Sequence, residues 1–187
     1  GYDERELTAV ADRLETRMRR HREYTTAIGR ADGDRFATAV LLGFPADRDD
    51  VVDTIVFGHE PPLAVCPDGV RALPVAGGLP LGYRDLAPGR PRMCRVPLKG
   101  DETLLVVTDG VTEARDAEGR FYPLVDQVRR AVARDPQLAA PARLVSFVRD
   151  GTLRHSGGHL ADDTTAFAVR RTGAPVGEGH EGGRSPY

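Results

Sequence analysis

Several features are scarce in this sequence, and each absence excludes a class of protein. There is no tryptophan, and the two cysteines, Cys66 and Cys94, are too few for a disulfide scaffold. We therefore expect a reducing, cytoplasmic setting. No apolar run approaches the ~20 residues of a membrane-spanning helix, so we expect no membrane contact by this chain. The 26 basic residues nearly balance the 28 acidic ones, leaving a formal net charge of -2, which argues against a general nucleic-acid binder.

Length and composition predict one domain with a short tail. The chain of 187 residues is long enough to bury a hydrophobic core. We predict a domain over residues 1–171 and a disordered tail over 172–187, where Gly, Pro, Ser and Glu dominate and leave little to bury. The first residue is Gly1 and not methionine. We therefore expect a piece of a longer protein, with upstream sensor or membrane-anchoring segments left open.

Apolar periodicity predicts an α+β fold with helices packed on antiparallel sheet. Helical spacing of apolar residues predicts a helix over residues 3–22, and two more helices start after Pro123 and at Pro141. Short apolar runs between turn residues predict strands at residues 35–44, 51–57, 63–66, 70–73, 93–98, 103–108 and 164–169. Tight turns predict that 63–66 pairs with 70–73 and that 93–98 pairs with 103–108.

Two acidic segments lie at the ends of predicted strands. Asp109 follows the apolar run 104–107 and is itself followed by a glycine, while Asp162 and Asp163 precede the last strand. If these strands are antiparallel neighbours, Asp109 and Asp162 come close together, because opposite ends of the two strands then meet. Carboxylates in such proximity favour a cation, and oxygen ligands suit Mg²⁺ or Mn²⁺. The alternative, that these are solvated turn residues, remains about equally open from the residues alone.

The histidines carry weaker signals. His59 lies between two predicted strands and could orient a substrate or assist proton transfer, although a loop histidine more often bonds the backbone. His155 and His159 have the i, i+4 spacing of a helical metal site, but the two glycines between them favour a mobile loop. His21 is expected at a helix end, where a positive charge is favourable. Neither cysteine has a C-x-x-C partner, so a zinc site is not indicated.

Five motifs, taken together and in order, resemble one protein family. They are Phe36-Ala37-Thr38-Ala39-Val40, Phe57-Gly58-His59-Glu60-Pro61-Pro62-Leu63, Gly78-Leu79-Pro80-Leu81-Gly82, Thr108-Asp109-Gly110-Val111-Thr112-Glu113-Ala114 and Asp162-Asp163-Thr164-Thr165. With them the sequence resembles the bacterial metal-dependent serine/threonine phosphatases of the PPM (PP2C-like) type, in the branch of stage II sporulation protein E. The resemblance runs over residues 36–169.

This resemblance implies an αββα sandwich with two divalent ions, Mn²⁺ or Mg²⁺, between the ends of the sheets. It implies that Asp109 and Asp162 are metal ligands and that Asp163 lies just outside them in the same metal site. His59 matches a family position without an established catalytic role, and it stays a candidate for contact with the substrate. The implied reaction is hydrolysis of phosphoserine or phosphothreonine on a regulatory protein. An anti-sigma-factor antagonist of a partner-switching pathway is the kind of substrate that the family suggests.

One departure from the family limits what we expect of this chain. The family's earlier Gly-Asp segment and the Asp-Gly turn that follows it, which supply the bridging metal ligands, have no match here. We therefore expect the chain alone to be weak or inactive as a phosphatase, with the missing part lying upstream. The alternative is a phosphatase-like fold that serves as a non-catalytic binding or sensing module.

Overall fold

A computed structural model describes residues 4–29, 36–86 and 92–171. The helices are α1 (Glu4–Ala27), α2 (Asp109–Thr112), α3 (Leu124–Arg134) and α4 (Pro141–His155). The strands are β1 (Ala39–Gly43), β2 (Val51–Phe57), β3 (Leu63–Cys66), β4 (Gly69–Ala72), β5 (Cys94–Pro97), β6 (Thr103–Val107) and β7 (Ala166–Arg170). The tail predicted at 172–187 lies outside the described residues, and the boundary at residue 171 stays a prediction.

The strands form two antiparallel sheets. The first has the order β1-β2-β5 and the second the order β4-β3-β6-β7. All pairings between these strands are antiparallel, as predicted. Strands β2 and β6 lie inside their sheets, which explains their apolar sequences. Every residue of β2 is buried, and β6 has only one residue that is not, because both faces of each strand are covered.

The sheets stack face to face, with helices on both outer faces. Helix α1 packs on the first sheet through Leu7 and Ala11. Side chains of both sheets, among them Val52 and Leu104, form the core between the sheets. Helices α3 and α4 cover the second sheet in a third apolar cluster that includes Val128. The layer order is therefore helix, sheet, sheet, helix, and the predicted α+β fold of αββα type is confirmed.

Helix α1 is longer than predicted. It ends at Ala27 because no helix breaker precedes Gly29, whose φ of 66° is the left-handed conformation that commonly ends helices. The hydroxyl of the buried Thr25 also bonds the carbonyl of His21. His21 consequently lies inside the helix, so its expected place at a helix end was wrong.

Among residues 4–29, 36–86 and 92–171, every helix is too short or too polar to span a membrane.

The predicted pairing of residues 93–98 with 103–108 is also wrong. Strand β5 pairs with β2 in the first sheet, whereas β6 pairs with β3 and β7 in the second. The turn between them carries the chain from one sheet to the other, which brings Val96 and Leu104 into the same core. Glu102 stabilises this crossing: its buried carboxylate accepts hydrogen bonds from the Lys99 amide (2.8 Å) and from Arg71 (2.9 Å).

Candidate functional site

The candidate site lies where β6 ends and β7 begins. These strands are antiparallel neighbours, with Val107 opposite Ala166, so the pairing assumed from the sequence is confirmed. Asp109 opens α2, a single helical turn directly after β6. Residues 162–165 lead into β7. Both acidic segments are therefore brought to the same end of the second sheet.

Thr108 joins the two segments directly. Its hydroxyl donates a hydrogen bond to the carbonyl oxygen of Asp163 (2.8 Å) and accepts one from the amide of Thr165 (2.9 Å). Its own amide donates to the carbonyl of Thr165 (3.0 Å). Because Asp109 is the next residue in the chain, these three bonds set its position relative to residues 162–165.

Gly110 allows the two segments to approach closely. A Cβ atom at this position would lie 2.6 Å from the carbonyl oxygen of Asp163 and 3.1 Å from the hydroxyl of Thr164. Gly110 has no left-handed φ, so the requirement for glycine comes from packing.

The three aspartates differ in what they contact. Oδ1 of Asp109 accepts a hydrogen bond from the Gly110 amide (2.9 Å), and Oδ1 of Asp162 accepts one from the Asp163 amide (2.7 Å). Asp163 contributes its backbone carbonyl to Thr108. All three residues are exposed, so a solute can reach their carboxylates from water.

The residues that the structure describes do not complete a metal site. Within 4–29, 36–86 and 92–171 no group of three or more His, Cys, Asp or Glu side chains is arranged to hold an ion. Carboxylate oxygens suit Mg²⁺ or Mn²⁺, but Mg²⁺ takes about six oxygen ligands in an octahedron. Asp109 and Asp162 therefore have the donor atoms that such an ion prefers, and two carboxylates alone would be only part of the set it needs.

The loop between β2 and β3 reaches the same turn. Nδ1 of His59 lies 2.9 Å from the carbonyl oxygen of Glu60. Oε1 of Glu60 accepts a hydrogen bond from the hydroxyl of Thr112 (2.9 Å), the last residue of α2. The structure thus places the His59 loop beside the turn that carries Asp109. The sequence analysis placed Thr108, Glu60 and Thr112 within family-like motifs but assigned a role to none of them.

His155 and His159 do not form a helical pair. His155 is the last residue of α4, and Gly157 and Gly158 follow it with φ values of 61° and 84°, which end the helix. Nε2 of His155 lies 2.9 Å from the carbonyl oxygen of Arg120. His155 therefore bonds the backbone. The expectation that the two glycines prevent a helix from running through both histidines is confirmed.

Solved structures define the class of fold. The chain matches the RsbU and RsbW domains of Rv1364c from Mycobacterium tuberculosis with 24% identity and a TM-score of 0.61, over 82% of this chain and 41% of that chain. It matches the phosphatase domain of the cell fate determinant SpoIIE from Bacillus subtilis with 15% identity and a TM-score of 0.55, over 86% and 72%. The SiaA PP2C domain of Pseudomonas aeruginosa gives 19% identity and a TM-score of 0.55, over 88% and 70%. The fold is that of a PP2C-like domain.

The family follows from a match to the chain itself. The family model of stage II sporulation protein E (SpoIIE) matches residues 2–172. Because this match covers most of the chain, the protein belongs to the SpoIIE family. No curated protein matches it significantly. The chain spans less than half of the mycobacterial structure that it resembles.

Proposed function

We propose that this chain is the C-terminal part of a metal-dependent protein serine/threonine phosphatase domain. The whole protein would remove phosphate from a serine or threonine of a regulatory protein, of the kind that partner-switching pathways use to control a sigma factor. Family membership supports this proposal. The observation that carries it is the direct linkage of the Asp109 turn to residues 162–165 at adjoining strand ends.

The proposed roles of the site residues follow from their chemistry. Asp109 and Asp162 would be two of the oxygen donors to Mn²⁺ or Mg²⁺. Asp163 would lie just outside these ligands in the same site, and His59 would contact the substrate. The described residues do not complete a metal site. The remaining donors would come from outside the described residues. Phosphomonoester hydrolysis is among the slowest uncatalysed reactions, so an incomplete donor set predicts a large loss of rate.

Release of phosphate by the full-length parent protein tests the proposal. The substrate is a phosphoserine-containing regulatory protein, assayed with Mn²⁺ and with Mg²⁺. Asp109→Asn and Asp162→Asn should each lower turnover by about 100-fold or more, since each removes an anionic donor. Asp101→Asn, in the exposed turn before β6, is the matched control and should keep full activity. Absence of metal-dependent release, or an unchanged Asp109→Asn variant, would contradict the proposal.

The isolated chain gives a second test. We expect residues 1–187 to hydrolyse an aryl phosphate in Mn²⁺ no faster than the Asp109→Asn variant of the same chain. The physical reason is the missing part of the donor set. Robust Mn²⁺-dependent turnover by this chain would show that its own residues complete the site.

A non-catalytic module is the second candidate function. The lack of a three-residue ligand group among the described residues favours it. Such a module would bind a phosphorylated regulatory protein without releasing phosphate, with or without Mn²⁺, and an Asp109→Asn variant would bind equally well.

A cytoplasmic location is part of both proposals, because Cys66 and Cys94 are free thiols, as in a reducing compartment.

A further inference from the structure

Glu60 forms a contact at the candidate site that neither the motifs nor the family assignment explain. Its carboxylate accepts a hydrogen bond from Thr112, a residue 52 positions later in the chain. Glu60 belongs to the loop that follows the first sheet's central strand, and Thr112 ends the turn after β6 of the second sheet. The bond therefore connects the two sheets at the end where Asp109 lies.

The turn that carries Asp109 depends on such contacts. Helix α2 has four residues, and its first residue is preceded by Thr108, which makes no side-chain capping bond to it. A single helical turn is unstable by itself. Thr108 holds one side of this turn through Asp163 and Thr165. Glu60 holds the other side through Thr112, whose hydroxyl also lies 3.3 Å from the carbonyl oxygen of Asp109.

The same residue orients His59. A carbonyl oxygen only accepts hydrogen bonds, so Nδ1 of His59 carries the proton in the 2.9 Å contact with the Glu60 carbonyl. In the neutral ring Nε2 is then left as an acceptor. Anchoring Glu60 to Thr112 fixes the backbone that His59 bonds. One carboxylate thus couples the His59 ring to the position of the Asp109 turn.

From these contacts we infer that Glu60 is a positioning residue, which holds the His59 loop and the Asp109 turn in a fixed relation. Its importance for turnover rests on the proposed phosphatase function. Its role as an anchor does not, because the hydrogen bond to Thr112 exists in this chain. Glu60 acts here as a hydrogen-bond acceptor, so its charge is less important than the presence of its oxygen.

Matched substitutions separate these roles. Glu60→Gln keeps an acceptor oxygen for Thr112, and Thr112→Ser keeps the hydroxyl, whereas Glu60→Ala and Thr112→Val each remove the bond. Glu23→Ala, which removes an exposed carboxylate bonded to Arg19 on α1 (2.7 Å), is the control for loss of a surface acid. Thermal unfolding of each variant checks that the fold is retained.

Hydrogen exchange of the 187-residue chain tests the anchor without any activity. The amides of Val111 and Glu113 bond the carbonyls of Thr108 and Asp109 and report on the turn. They should exchange about 3- to 10-fold faster in Glu60→Ala and Thr112→Val, the range expected for one lost hydrogen bond, and no faster in Glu60→Gln, Thr112→Ser or Glu23→Ala. Unchanged exchange in both bond-removing variants would overturn the inference.

Turnover by the full-length parent in Mn²⁺ then tests the consequence. The two bond-removing variants should each lower kcat/KM by about 3- to 10-fold, and the two conservative variants should restore the rate. The double variant Glu60→Ala/Thr112→Val should be no worse than Thr112→Val alone, which also removes the 3.3 Å contact with the Asp109 carbonyl. If Glu60→Gln loses as much as Glu60→Ala while Thr112→Val is normal, the charge acts and the inference is wrong. If the wild-type parent releases no phosphate, the proposed function fails, and hydrogen exchange still decides whether Glu60 anchors the turn.

Discussion

Replacement of Gly110 with alanine tests the close approach of the Asp109 turn to residues 162–165. The new methyl group would lie 2.6 Å from the carbonyl oxygen of Asp163. The two segments must separate by about 0.8 Å to reach the 3.4 Å at which ordinary contact begins. That movement weakens the 2.8 Å bond from Thr108 to the same carbonyl. Overpacking of this kind costs about 1–3 kcal/mol, so we expect a loss of about 2 kcal/mol in the free energy of unfolding.

Thermal and urea unfolding of the 187-residue chain measure this effect. A loss of that size lowers Tm by about 4–8 °C in a domain of this length. Gly100→Ala is the matched control, because a Cβ at Gly100 meets nothing within 4 Å and its φ is ordinary; its change in stability should lie within about 0.5 kcal/mol of zero. Equal effects of the two substitutions would refute the argument that packing between the acidic segments requires a glycine at position 110.

Three further predictions concern hydrogen bonds and buried charge. Thr108→Val should lower the free energy of unfolding by about 1–2 kcal/mol, since it removes two hydrogen bonds. Thr108→Ser keeps both bonds and is the control. Equal urea midpoints for these two variants would contradict the prediction. Arg71→Met should cost about 2 kcal/mol at pH 7, because it leaves the buried Glu102 carboxylate without its guanidinium. Burial raises the pKa of Glu102, but its hydrogen bonds from Arg71 and Lys99 outweigh this and hold the pKa below the ordinary 4.5. The ionised Glu102 carboxylate thus stabilises the fold above pH 4.5, and this stabilisation is lost as the pH falls through the lowered pKa. In a pH series of urea melts, the difference in the free energy of unfolding between wild type and Arg71→Met should therefore shrink in acid. Arg95→Met should lower the free energy of unfolding by about 3 kcal/mol, because it leaves the fully buried carboxylate of Asp53 without its guanidinium. Arg149→Met is the control, since it breaks only an exposed ion pair. Similar Tm values for the two variants would contradict this prediction.

The candidate site shows which of its residues a sequence can indicate. Asp109 and Asp162 were found because each lies beside an apolar strand, and a strand end is visible in the local pattern. Thr108 precedes Asp109 directly, so its neighbourhood was visible although its bonds to Asp163 and Thr165 were not. Glu60 lay in one of the family-like motifs but received no role, because its partner Thr112 lies 52 residues away.

The sheet pairing shows the same limit on a larger scale. The turn between β5 and β6 has the residues of a hairpin turn, and the local pattern predicted a hairpin there. The chain instead crosses from one sheet to the other, because Val96 and Leu104 are buried in the core between the sheets and Glu102 holds the crossing with bonds to Lys99 and Arg71. Local turn chemistry and tertiary burial favoured different answers, and burial prevailed.

The sequence by itself determined the three long helices, most strand positions, the α+β class and the two aspartates at strand ends, since apolar periodicity and turn residues act over a few neighbouring positions. Only the tertiary structure decided which strands pair, how Thr108 links the two acidic segments and that Glu60 reaches Thr112. These contacts join residues that are dozens of positions apart, and the chain adopts them because together they bury both faces of β2 and β6 and satisfy the polar groups where the strands end.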